Sequence, residues 1–502
     1  MKRYKDSIEK LTKHHSLFKT EKMKVPAHIL MSEELFPPEE TFKQIEEMAS
    51  NDGLYKATAA LPDVCSKPGR KNASGTTIAS KDYILPQVND SDPNCGMRLV
   101  KTDLTEDNTT PEEIDKLFKA LVPVVPTKTL VATKVPFDVI VDICRSGTQA
   151  LINHLGIQTK NELQNSQGGG NYFGKTISKE ELFDAIPKLY LHFAQFRLGL
   201  IGAAGNHFLD LMKITEIVDE KIAKKFGIKK GQYLFMVHTG SGILGQYTMY
   251  TYTAKKREHL SQDLMVALGK LTFKTRKKDI YKQMNEKIQK HMTIDNSLLK
   301  YDAKGEDGKL YMTARNAASN FGLSNRATII HNISETIKKV LDRDPNMDLL
   351  YDLPHISINE EEHFGQKVWV HRNNTSRSFG PSKMKDHPIF CETGEPTFIP
   401  SSMGTDAYIG VGTDGNLDSF FSAPHGTGKG SKVCESFVPQ NRDELVEKMN
   451  KRGIKLYNAK SSKVIEQDSS KYKDVSNVIE GVEDNGIAKI VAKMRPVSVI
   501  MY

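Results

Sequence analysis

Five cysteines in 502 residues, with no paired spacing, give this chain no disulfide framework and fit a reducing compartment. Long apolar runs are also missing. The greasiest stretch, Leu189 to Ala204, is broken by His192, Gln195 and Arg197 and is too polar for a membrane span. The opening Met1-Lys-Arg-Tyr-Lys5 is charged and lacks the apolar core of a secretion signal. No internal repeat and no low-complexity tract appears, which argues against solenoid and disordered classes. The expectation is a cytoplasmic or nuclear protein with no membrane partner.

Neither sign of charge dominates. Lys plus Arg number 70 against 62 Asp plus Glu, a formal net charge of +8. That permits a local basic groove for a polyanion without requiring one. With 38% hydrophobic and 26% charged residues, the composition is that of an ordinary globular protein. The length suggests about three domains or one unusually large one. At this size a core can form without disulfides or a structural metal.

Helix signals are clear in places. Thr110-Pro111-Glu112-Glu113 combines an N-cap, a first-turn proline and a capping-box carboxylate ahead of Ile114, Leu117, Phe118 and Leu121. Ser178 with Glu181 repeats the device. Ala314, Ala317, Phe321, Ile329, Ile333, Ile337 and Val340 fall at helical spacing between about Tyr311 and Leu341. Leu234–His238, Tyr247–Thr253, Lys367–His371 and Tyr408–Gly412 are rich in β-branched and aromatic residues and read as strands. Helices and strands interleave without a βαβ beat, so the expected class is α+β with mixed sheets. The best candidate for a seam is the basic, helix-rich segment 255–341, which holds Lys255-Lys-Arg257 and Lys274-Thr-Arg-Lys-Lys278. Its charge either solvates helix faces or tracks a phosphate backbone.

Two glycine motifs are set aside. Gly240-Ser-Gly-Ile-Leu-Gly245 matches a dinucleotide fingerprint, but that motif needs a helix next, and the following residues read as a strand. Gly426-Thr-Gly-Lys-Gly-Ser431 lacks the first glycine and the Ser or Thr after lysine that a Walker loop requires.

Four other segments place metal-capable side chains beside small or turn residues: Asp92-Pro-Asn-Cys95-Gly96, Gly205-Asn-His207-Phe208, Val237-His238-Thr-Gly-Ser241 and Tyr351-Asp-Leu-Pro-His355. One thiolate, one carboxylate and three imidazoles suit a borderline transition metal better than Ca²⁺ or Mg²⁺. Their wide separation in sequence points to a catalytic site rather than a structural one. A fifth segment, Ala423-Pro-His425-Gly426-Thr-Gly428, puts an imidazole in a glycine turn. There it could attack phosphorus while the glycine amides hold phosphate, or it could simply be exposed on a turn.

These five segments, in this order, resemble the RtcB-type RNA-splicing ligase family. The likeness runs from Pro62-Asp-Val to Arg495-Pro-Val-Ser-Val-Ile500. It includes Asn316-Ala-Ala-Ser-Asn-Phe-Gly-Leu-Ser-Asn-Arg326, Val370-His-Arg372 with Arg377, Ile399-Pro-Ser-Ser-Met-Gly-Thr405 and Gly486-Ile-Ala-Lys489. The resemblance implies a single large catalytic domain over 1–502, with 255–341 inside it. It implies an enzyme joining RNA that ends in a 3′-phosphate or 2′,3′-cyclic phosphate to RNA that begins with a 5′-hydroxyl, as in RNA splicing or repair, with GTP and two Mn²⁺ ions and room for an accessory activator protein. By that likeness Cys95 bridges the metals, Asp92 and His207 complete one site, and His238 and His355 complete the other. His425 takes GMP covalently. Asn206, His207, Asp210, His355, Pro400, Ser401, Ser402, Met403, His425, Gly426, Thr427 and Gly428 line the nucleotide site.

The departures from the family pattern concern the nucleotide. Cys65 stands for a His, Asp210 for a Glu expected on the guanine edge, Gly242 for an Arg, Ile356 for an Asn, Ser401 for a Gly, and Met501-Tyr502 for a terminal Lys. A shortened carboxylate and a lost phosphate anchor leave room for another nucleotide, or for capping of 3′-phosphate ends without sealing. Arg315, Asn316, Asn325 and Arg326 fall on the long helical pattern, either as contacts near the site or as solvated helix surface.

Overall fold

Two large sheets carry the architecture. The first runs, edge to edge, Ile8–Lys10, Ser16–Phe18, Ala27–Ile29, Leu54–Cys65, Ser74–Ser80, Gln366–Asn373 and Ile356–His363, antiparallel except between Ala27–Ile29 and Leu54–Cys65. The second runs Asp348–Pro354, Gly96–Thr105, Gln232–Thr239, Phe208–Ile217, Ala488–Met501, Ala407–Gly412 and Pro396–Ile399, with Lys455–Tyr457 added in parallel to Ala488–Met501. Gln232–Thr239 is buried at every position, as a strand covered on both faces must be. The computed structural model describes all residues except 1, 90–91, 128–134, 203–205, 256, 258, 294–297, 431–437 and 502. Ala204, Gly205, Lys256, Ser431 and Tyr502, used above, lie outside the described residues.

The class is α+β, as the interleaved pattern implies. The helix Glu306–Leu341 spans 36 residues and contributes to two cores. Its first half packs Ala314, Ala317 and Phe321 among helical neighbours. Its second half packs Ile329, Ile330, Ile333 and Ile337 with Leu117, Phe118, Phe235 and Val237 of the second sheet's side. Segment 255–341 therefore contains two kinds of structure. Leu260–Thr272, Lys278–Thr293 and the link between them carry exposed lysines, and the middle of the long helix is interior. Among the described residues no helix is long and apolar enough to cross a membrane.

One expected strand is a helix. Ile243–Tyr252 is helical, and Leu244, Tyr247, Thr248, Met249, Thr251 and Tyr252 are all buried. A helix covered on most sides shows no polar stripe, so its aromatic and β-branched residues imitate a strand. The glycine motif thus does lie between a strand and a helix. A dinucleotide fold is excluded on other grounds. Gln232–Thr239 pairs antiparallel with both neighbours, and Asp92 Oδ1 already accepts from the Ser241 and Gly242 amides at the helix start.

Both anticipated capping boxes are present. Thr110 Oγ1 accepts from Glu113 N at 3.2 Å, and Glu113 Oε2 accepts from Thr110 N at 2.8 Å. Thr110→Ala is expected to lower stability by about 1 kcal/mol in urea denaturation with an unchanged slope. A loss above about 3 kcal/mol would show that this helix end does more than cap.

Candidate active site

The register of the second sheet assembles the candidate ligands. Gly96 pairs with Pro354 on one side and Thr239 on the other, and His238 pairs with Phe208. Cys95 precedes Gly96, His207 precedes Phe208, and His355 follows Pro354. Four adjacent strands therefore deliver Cys95, His207, His238 and His355 to one end of the sheet. Cys95 Sγ lies 3.3 Å from His207 Nε2 and 3.3 Å from His238 Nε2, and His238 Nε2 lies 3.4 Å from His355 Nε2. All four are buried.

This donor set fits a metal. His207 Nδ1 is 2.9 Å from the Ile201 carbonyl, which fixes the proton there and leaves Nε2 with its lone pair. Burial holds the imidazoles of His238 and His355 well below their ordinary values, so both are neutral near pH 7. Ring nitrogens and the Cys95 sulfur then stand 3.3–3.4 Å apart, and His355 Nδ1 has no hydrogen-bond partner among the described residues. Donors on a tetrahedron with bonds of 2.0–2.3 Å stand about 3.3–3.8 Å apart. The spacing is that of ligands around a transition ion.

Asp92 sits beside the cluster and has a second task. Its Oδ1 accepts from Ser241 N at 2.8 Å, Ser241 Oγ at 2.6 Å and Gly242 N at 3.2 Å, its backbone carbonyl accepts from Cys95 N, and its charge acts on His207. The guanidinium of Arg197 lies against Gly242, about 3.6 Å from where a side chain there would begin. Positive charge persists at that spot although residue 242 has none.

Arg326 holds the strand ends in place. Its guanidinium donates to Asp352 (2.6 Å), the Asn94 carbonyl (2.8 Å), Asn94 Oδ1 (2.5 Å) and the Thr239 carbonyl (2.8 Å). Those residues are one position from Cys95, one from His238 and three from His355. Arg98 caps the other face of Asp352 at 2.7 Å and pairs with Glu162. The solvated-helix alternative therefore fails. Arg315, Asn325 and Arg326 are buried, and Asn316 donates to the Tyr172 carbonyl.

The other half comes from Asp63 of the first sheet and from a separate two-stranded ladder, Thr375–Arg377 with Ser422–Pro424. His425 follows the short strand Ser422–Pro424 and keeps about a fifth of its side chain exposed. Its ring centre lies 4.7 Å from that of His355. Its Nδ1 stands 2.6 Å from Asp63 Oδ2. Asp63, whose surrounding Pro62-Asp-Val is part of the resemblance, was not singled out from sequence, and nothing local could have paired it with a residue 362 positions away. Lys473 Nζ donates to the Pro62 and Val64 carbonyls at 2.7 and 2.9 Å, clamping the strand on either side of Asp63, and burial pushes its ammonium down to about 8. Gly428, at φ 72°, passes so close to Asp63 that a Cβ would stand 2.2 Å from its carbonyl oxygen.

A cavity of about 1220 Å³ opens over this centre. Asp63, His238 and His425 line it with Asn206, Pro400, Ser401, Ser402, Met403, Gly426, Thr427 and Gly428. Ser401 Oγ meets Thr427 Oγ1 at 3.2 Å, tying the two loops together. Met97, Met212, Met236, Met403, Met501, Phe208 and Asp210 line the cavity as well. Asp210 is 7% exposed, its Oδ1 has no hydrogen-bond partner among the described residues, and burial pushes its carboxyl well above the carboxylate range. The cavity thus joins an imidazole, a donor cluster, glycine amides and an apolar recess with one neutral acid. Such a lining can take a ligand that has both a polar and an apolar part.

The chain resembles known proteins over most of its length. The RtcB family profile, described as tRNA-splicing ligase RtcB, matches residues 44–502. Proteins named tRNA-splicing ligase RtcB from Thermococcus kodakarensis and Methanococcus maripaludis are 29% and 28% identical, each over 95% of both chains. One of the same name from Pyrococcus furiosus is 31% identical over 81% of this chain, which spans 39% of that relative's length.

Two measurements test the site's construction. Arg326→Leu removes one partner of a buried charge network and is expected to cost about 3–5 kcal/mol in denaturation. A cost under about 1 kcal/mol would mean the strand ends hold themselves. For Asp210 the sign follows from its raised value: as pH rises above about 4 the unfolded chain ionises while the folded one does not, so stability falls. Asp210→Asn should melt higher than the native protein near pH 7.5, with the gap shrinking toward pH 5. A gap independent of pH would contradict a neutral Asp210.

Proposed function

The chain belongs to the RtcB family, and from that premise we propose that it is an RNA ligase. It joins an RNA end bearing a 3′-phosphate, or a 2′,3′-cyclic phosphate opened to one, to an RNA end bearing a 5′-hydroxyl. The co-substrate is a nucleoside triphosphate, GTP in the family pattern. The pairing of Asp63 with His425 beside a metal-competent cluster carries this reading.

An ionised Asp63 accepts only, so the proton of His425 belongs on Nδ1 and the lone pair on Nε2. Nε2 attacks the α-phosphorus of the triphosphate and pyrophosphate leaves. Positive charge then develops on the ring, and Asp63 lies 2.6 Å from the nitrogen that bears the proton. The nucleotide passes to the oxygen of the RNA 3′-phosphate, which restores the imidazole. Attack by the 5′-hydroxyl on that 3′-phosphorus then expels the nucleoside monophosphate and closes the phosphodiester. A 3′-phosphate is a poor electrophile until it carries such a leaving group.

Manganese ions held by Cys95, Asp92, His207, His238 and His355 would neutralise charge where two phosphates meet. The 3.3 Å approach of Cys95 Sγ to both His207 and His238 supports a shared thiolate. Arg197 beside Gly242 supports a phosphate contact supplied from a different chain position than the family's arginine. Asn206 and the amides of Gly426–Gly428 would hold nucleotide phosphates.

Incubation with Mn²⁺ and each α-labelled nucleoside triphosphate should give a protein adduct that survives alkali, is lost in acid and is absent from His425→Ala. Asp63→Asn should keep its metal content yet form the adduct about 10²–10⁴-fold more slowly. With 3′-phosphate and 5′-hydroxyl RNA, sealed product is expected. A nucleotide-capped, unjoined RNA would instead mark an end-capping enzyme, and no adduct with any nucleotide would remove the histidine route.

A further inference from the structure

Outside this site, three residues from distant segments converge beside the N-terminal strands of the first sheet. His28 lies on Ala27–Ile29, His15 immediately before Ser16–Phe18, and Asp418 in the turn that leads toward His425. His15 Nε2 stands 2.9 Å from His28 Nδ1, and His28 Nε2 stands 3.8 Å from Asp418 Oδ1. One donor atom from each lies within 4.8 Å of the other two. We propose that His15, His28 and Asp418 form a second metal site, separate from the catalytic cluster, that takes Zn²⁺ or a similar borderline divalent ion.

Hydrogen bonding alone does not satisfy the trio. The two rings can share one proton, but the remaining His28 nitrogen is then 3.8 Å from the carboxylate, beyond hydrogen-bond reach. Among the described residues, no lysine or arginine pairs with Asp418. Two imidazoles and one carboxylate suit zinc, copper or nickel, whereas Ca²⁺ and Mg²⁺ prefer all-oxygen shells. Asp418 is about half exposed, which leaves access for the ion and for water in the remaining positions.

The site has a structural consequence. His15 and His28 precede the matched region 44–502, and Asp418 lies seven residues before His425. Between them, Phe420 and Phe421 are buried at φ 53° and 50°, and the Phe421 carbonyl accepts from Ser378 N. An ion here would tie the N-terminal strands to the turn that carries the nucleophile's strand.

The test is zinc stoichiometry of the full-length, demetallated protein by mass spectrometry after equilibrium dialysis, with Co²⁺ spectra alongside. Cys95→Ala, which removes the catalytic thiolate, should retain one zinc equivalent and a Co²⁺ spectrum without thiolate charge transfer. Adding His28→Ala should abolish both. Asp418→Asn, an exposed change that spares the fold, should weaken that equivalent at least about tenfold and remove the zinc-induced rise in melting temperature. If Cys95→Ala binds no zinc, or binds it equally with and without His28 and Asp418, the proposal is overturned. None of these readouts depends on ligase activity.

Discussion

The site depends on one buried guanidinium. Arg326 comes from the middle of the 36-residue helix and ends among the carbonyls and side chains of Asn94, Thr239 and Asp352. Thr239 and Asp352 lie on two strands of the second sheet and Asn94 in the turn before a third, each within three residues of a candidate ligand. Strand ends lack the ladder partners that fix strand middles, so without such a tie their side chains would scatter. Arginine serves because its planar fork donates in several fixed directions at once and stays charged when buried. Gly322, one turn away, lets the helix approach closely enough: a side chain there would meet the Asn94 carbonyl and the Ser241 amide at 3.3 Å.

Desolvation then divides the acids and bases by task. His238 and His355 are kept neutral and thus available as donors. Two carboxyls face the same cavity in opposite settings. Asp63 accepts from the His425 ring and backbone and lies against the strand clamped by Lys473, so its negative charge is useful. Asp210 lines the same cavity as several methionines, and burial favours its neutral form. A neutral acid donates as well as accepts, so Asp210 can present this recess with a donor that an ionised side chain lacks.

Much of this was legible in the sequence wherever local spacing carries the signal. Thr110 with Glu113, Ser178 with Glu181, the periodic long helix and the strands around Leu234–His238 and Tyr408–Gly412 follow from patterns a few residues long. The ligand segments could be gathered as candidates because glycines and turn residues flank them. Three things were not legible. Ile243–Tyr252 is buried on most sides and loses the amphipathic stripe that marks a helix. Arg315 and Arg326 look like surface residues until a buried carbonyl cluster is found to receive them. Asp63 gains its role only through a contact 362 positions away.

The two halves of the site come from different sheets, so their relative position must be fixed where the sheets meet. That junction is one residue long. Asp348–Pro354 belongs to the second sheet and Ile356–His363 to the first, and His355 is the step between them. Its amide donates to the Cys95 carbonyl at 2.9 Å, and its own carbonyl accepts from Thr375 N at 3.0 Å. Thr375–Arg377 in turn pairs with Ser422–Pro424, the strand that ends at His425. The backbone of His355 is therefore bonded on one side to the Cys95 turn and on the other to the ladder that ends before His425, while its ring lies 3.4 Å from His238 and 4.7 Å, centre to centre, from His425. Sliding of one sheet on the other would strain these main-chain hydrogen bonds. The residue that closes the donor cluster thus also helps set its distance to the imidazole of His425.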